Sequence, residues 1–66
     1  MEKELFITVI VAQNPDDFKI EVSMMKGYAV SLEEAKGKHY EHFEQEFFGH
    51  YIIHSFIGMD CRPYIQ

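Results

Sequence analysis

The side chains able to do chemistry in this chain are four histidines, one cysteine and a group of glutamates. His39 and His42 stand three apart and His50 and His54 four apart, spacings at which two imidazoles on one helix can share a metal ion. The first pair falls where the sequence reads as helix, but His39 lies on the apolar stripe of that helix. The second pair falls in a segment that reads as strand, where four residues span about 13 Å. Ordinary core and surface histidines are therefore expected, with no metal and no cofactor. Glu41, Glu44 and Glu46 could act as paired acid and base, yet an exposed helix gives them no cleft to shift a pKa. Cys61 has no base or oxyanion donor near it in sequence, and no glycine-rich phosphate loop is present. A chain this short has little room to shelter an active site. The expectation is a protein that binds through a surface and is not an enzyme.

The elements that position these residues follow from periodicity. Leu5 to Val11, LFITVIV, is β-rich and apolar on nearly every residue, as in a central strand covered on both faces. Residues 13 to 17, QNPDD, form a tight reversal. A second strand from about Phe18 to Met25 alternates: Phe18, Ile20, Val22 and Met24 on one side, Lys19, Glu21, Ser23 and Met25 on the other. Gly27 is expected to end it. Ser31 to Glu34, SLEE, matches a capping box, and Leu32, Ala35, His39, Phe43 and Phe47 form one helical stripe ending near Phe48, with Gly49 as C-terminal cap. Residues 50 to 59, HYIIHSFIGM, return to strand character.

The order ββαβ implies an α+β fold, one domain spanning residues 1–66: a three-stranded antiparallel sheet in order 2-1-3 with one helix on one face. A single helix leaves the other face bare. That face is expected to show Phe6, Thr8 and Ile10 beside Lys19, Glu21 and Met25, with Ile52 and Phe56 added if Tyr51, Ile53 and Ile57 pack under the helix. Such an apolar patch is a binding surface, because monomers rarely expose more than a few hundred Å² of contiguous apolar area. The alternative cover is the tail from Cys61 to Gln66.

Composition narrows the partners. Six basic against eleven acidic residues give a charge of −5, which repels a phosphate backbone and disfavours direct nucleic-acid binding. The helix carries five glutamates and two lysines between Leu32 and Phe47, an acidic side suited to a cationic groove or simply to solubility. A 47% apolar content argues against disorder. The opening Met1-Glu2-Lys3-Glu4 lacks a basic export region, and Leu5 to Ala12 is too short to cross a bilayer. A lone thiol suits a reducing cytoplasm, with an intermolecular disulfide as the one bridge open to it.

Two stretches, Phe18-Lys19-Ile20-Glu21-Val22-Ser23-Met24-Met25-Lys26 and Asp60-Cys61-Arg62, resemble the Dmd family of antitoxins from T-even-like bacteriophages, as do the chain length and the apolar first strand. The resemblance implies a phage protein in the host cytoplasm that binds RNase toxins of the RnlA or LsoA type directly and so preserves phage mRNA. On that reading the contacts are expected at Phe6, Ile10, Met25, Lys26, Tyr40, Glu41, Glu44 and Phe56. An inhibitor or adaptor of another host enzyme, such as RNA polymerase, is the alternative, and a homodimer through the bare face would compete with either.

Overall fold

A computed structural model describes residues 2–47 and 51–60. Gly49 as helix cap, His50, Cys61 and the tail lie outside these residues. The elements run β1 (Glu4–Gln13), β2 (Ile20–Ala29), α1 (Leu32–Glu46) and β3 (Ile52–Asp60). The sheet has the order β2-β1-β3 and both pairings are antiparallel, so the α+β architecture is the one the alternation implied. No helix among the described residues is long and apolar enough to cross a membrane.

The β1–β2 reversal is held by its own polar groups. The Asp16 amide donates to Asn14 Oδ1 at 2.9 Å, the Lys19 amide to Asp17 Oδ1 at 3.0 Å, and the Phe18 amide to the Asn14 carbonyl at 2.8 Å. Phe18 takes a left-handed conformation, φ 61°, that costs a bulky side chain energy. β2 then runs through Gly27 to Ala29, because Gly27 pairs with Phe6 and has no steric reason to break the ladder. Ser31 caps α1, accepting from the Glu34 amide at 3.2 Å, while the Glu34 carboxylate pairs with Lys38 at 3.1 Å. At the other end the Phe47 amide still donates to the Phe43 carbonyl, 2.8 Å.

The helix lies on the face opposite to the one expected. Residues paired across an antiparallel sheet share a face. The helix-side rows are therefore Phe6 with Gly27 and Asp60, Thr8 with Met25 and Gly58, Ile10 with Ser23 and Phe56, and Ala12 with Glu21 and Ile53. Phe6, Thr8, Ile10 and Ala12 are all buried, and Ile10, Ala12 and Phe43 form the core, with Phe47, Tyr51 and Phe56 packed against it. Phe43, Phe47 and Tyr51 meet edge-on or tilted at ring separations of 4.9 to 5.9 Å.

Two physical features set this choice. Small residues on the helix side, Thr8, Ala12, Ser23, Gly27 and Gly58, let the helix approach; a Cβ on Gly58 would come within 2.5 Å of Leu32 Cδ1. β3 also shifts register between the partners of Val11 and Ala12, so His54 is an extra residue and the alternation changes phase. Tyr51 and Ile53 accordingly lie on the helix side as expected, whereas beyond the bulge Phe56 turns under the helix and Ile57 turns out.

Candidate functional site

His39 is fully buried and serves the fold. Its Nδ1 lies 2.7 Å from Thr8 Oγ1 and its Nε2 2.9 Å from Ser23 Oγ, and its ring meets Phe56 edge-on at 5.8 Å. The Thr8 hydroxyl donates to the Met25 carbonyl at 3.4 Å. Its oxygen is then left to accept from Nδ1–H, and Nε2 accepts from the Ser23 hydroxyl. Desolvation, with a smaller contribution from His42, lowers the His39 pKa, so this imidazole is neutral near pH 7. With both nitrogens engaged, His39 offers nothing to a metal. His42 instead faces Glu46 at 3.5 Å on the exposed side of α1, and His54 bonds Gln13 Oε1 at 2.8 Å. No cluster of metal-ligating side chains occurs among the described residues.

Two small hollows open beside α1. A hollow of about 30 Å³ lined by Phe6, Thr8, Met25, Gly27, Tyr28, Ala35 and Lys38 separates α1 from β2, and another of about 20 Å³ lies by Tyr40, Phe43, Glu44, Phe47, Tyr51 and Ile53. Each holds about one water, far short of the several hundred Å³ of a ligand cleft.

The extended feature is the open face of the sheet. Its rows are Leu5 with Tyr28; Ile7 with Lys26 and Met59; Val9 with Met24 and Ile57; Val11 with Val22 and Ser55; Gln13 with Ile20 and Ile52. Met24 is 72% exposed, Val22 64% and Tyr28 63%, while the central Ile7, Val9 and Val11 are half-buried by their neighbours. Lys26 is the one charged side chain among these paired residues. Apolar side chains thus line a surface three strands wide, on the side of the sheet away from the helix.

The outer side of α1 supplies the contrast. Tyr40, Glu41 and Glu44 are exposed there, and the Tyr40 hydroxyl donates to Glu44, whose hydrogen bond and charge raise the phenol pKa. Lys36 turns instead toward β3, its Nζ donating to the Phe56 carbonyl at 3.0 Å and lying 5.2 Å from the ring centroid.

Of the contact residues expected from sequence, Lys26 stands on the open face and Tyr40, Glu41 and Glu44 stand on the exposed helix. Phe6 and Ile10 do not face solvent; they are core residues, 6% and 0% exposed. Met25 and Phe56 also belong to the helix side and are only partly exposed. The exposed apolar residues of the open face that sequence reasoning did not place there are Val22, Met24, Ile57 and Met59. The signal for them was the hydroxyl of Thr8, a polar residue inside an apolar strand that needed a buried partner such as His39.

No family model matches the chain, and no curated protein or solved structure does.

Proposed function

We propose that this protein neutralises a host RNase toxin of the RnlA or LsoA type by direct contact in the host cytoplasm, protecting phage mRNA. The observation that carries the reading is the open sheet face. Apolar area on this scale, solvent-exposed and almost uncharged, is the kind of surface that proteins bury against other proteins. Met24 and Met59 add unbranched, polarizable side chains able to follow a partner's contours. The stretch resembling Dmd proteins, residues 18–26, contributes Ile20, Val22, Met24 and Lys26 to this face. The acidic side of α1 supports the same partner class, since an RNase that grips RNA presents a cationic groove.

The test mixes the protein with a purified RnlA-type RNase and follows RNA cleavage. Cleavage should stop near stoichiometry, and a complex should elute early on gel filtration. Met24→Asp, which places a charge in the middle row, should weaken inhibition at least tenfold while the far-UV spectrum stays unchanged. Undiminished cleavage at excess protein, with no complex formed, refutes the reading; capture of transcription subunits from host lysate in place of the RNase would move it to another host enzyme.

A further inference from the structure

We propose that, when no toxin is bound, the open face is covered by the same face of a second copy, in a two-fold, sheet-on-sheet dimer. The inference rests on reading this face as a binding surface, and three observations favour a copy of the chain as its occupant.

The first is area. Ile20, Val22, Met24, Tyr28, Ile52, Ile57 and Met59 are 47 to 72% exposed, and all seven lie on this face. Side chains of this size carry roughly 150–200 Å² each when free, so together they offer roughly 700 Å², close to the ~800 Å² per partner of a stable interface. The second is charge. Two chains of −5 repel each other through most of their surfaces, but the paired residues of this face carry no acid. Joining here sends both acidic helices to the outside of a helix–sheet–sheet–helix stack, as far apart as the fold permits.

The third is self-complementarity. A two-fold centred on Val9 and lying along the strands sets Lys26 over the partner's Met59; one lying across the strands sets it over the partner's Val22. In neither does Lys26 meet its own copy, and on edge strand β2 its ammonium can reach water beside the interface while its stem packs. Apart from Lys26 and Ser55, the two rows flanking Val9 then set apolar side chains against apolar ones, with the two sheets about 10 Å apart.

Sedimentation equilibrium of the full chain under reducing conditions, from high to low micromolar, tests this. The wild type should run at twice its 7.8 kDa when concentrated and fall toward the monomer on dilution. Val22→Asp and Ile57→Asp should stay monomeric throughout with an unchanged far-UV spectrum. Should either fail to fold, Lys26→Glu, a surface change that takes the charge from −5 to −7, should raise the dissociation constant about tenfold. Monomer mass at every concentration overturns the proposal, whether solvent or residues 61–66 meet the face. A dimer indifferent to all three substitutions also overturns it, because another surface would hold it. RNA cleavage is scored separately: a monomer that still blocks the RNase removes only the dimer, and a dimer that leaves cleavage untouched removes only the toxin reading.

Discussion

The imidazole of His39 is neutral because burial disfavours its charged form, and protonation would put a second donor where Ser23 already donates. Its folded pKa is lowered, so between that value and the unfolded 6.5 the unfolded chain binds more protons than the folded one. Stability from this residue is complete above about pH 6.5 and is lost as pH falls through that window. Urea midpoints between about pH 5 and 8 should decline on the acid side, and His39→Gln should flatten the slope; equal slopes would show the imidazole ionising freely in the folded chain. Thr8→Val keeps the shape but leaves Nδ1–H unpaired, with an expected loss of about 1–3 kcal/mol in the same measurement. Phe18 behaves oppositely. Its side chain is 71% exposed and its backbone is left-handed, so it contributes strain with little burial in return. Phe18→Asn should stabilise the fold by about 1 kcal/mol, since Asn tolerates this conformation. Backbone strain is a mark of functional positions, and under the toxin proposal the same variant should inhibit the RNase less well while melting higher. Unchanged inhibition would reduce Phe18 to a turn residue.

At the level of elements, two glycines set the stability and seating of α1 in opposite senses. Gly37 sits on the exposed side, and a methyl added there would meet nothing within 4 Å, so Gly37→Ala should raise stability by about 1 kcal/mol through helix propensity alone. Gly58 lies under Leu32 and against Thr8 Cγ2, 3.2 Å from an added Cβ. Gly58→Val should cost about 2–3 kcal/mol by lifting the start of the helix from the sheet. Chemical denaturation of both variants checks the pair; equal midpoints would mean the helix does not seat on Gly58. These residues also show what sequence could and could not decide. Alternation in β2, the SLEE cap and the stripe through His39 and Phe43 were enough for strand order and helix, because each is a local pattern. The face was not legible from alternation. β1 is apolar on both sides, the greasy side of β2 turns to solvent, and one extra residue at His54 reverses the phase of β3. Only side-chain size and hydrogen-bonding demand, small residues and hydroxyls toward the helix, separate the two arrangements, and these act between elements distant in sequence.

For the whole molecule, under the toxin proposal the division into an almost uncharged apolar face and an acidic helical face predicts two separable contributions to binding. The open face should govern how long a complex lasts, and the charge on α1 how quickly it forms, because burial acts at contact whereas an electrostatic field reaches well beyond contact in dilute salt. Glu41→Lys combined with Glu44→Lys changes the net charge by +4, from −5 to −1, at exposed positions whose loss should shift stability little. Association with an RnlA-type RNase should slow about tenfold at low ionic strength, its dependence on salt should flatten, and dissociation should stay near the wild-type rate. Met24→Asp should do the converse, speeding dissociation with a smaller effect on association. Stopped-flow association at several salt concentrations reads both. If the double variant instead dissociates faster and Met24→Asp leaves dissociation unchanged, the partner sits on the helix, and the open sheet would belong to another contact such as the second copy.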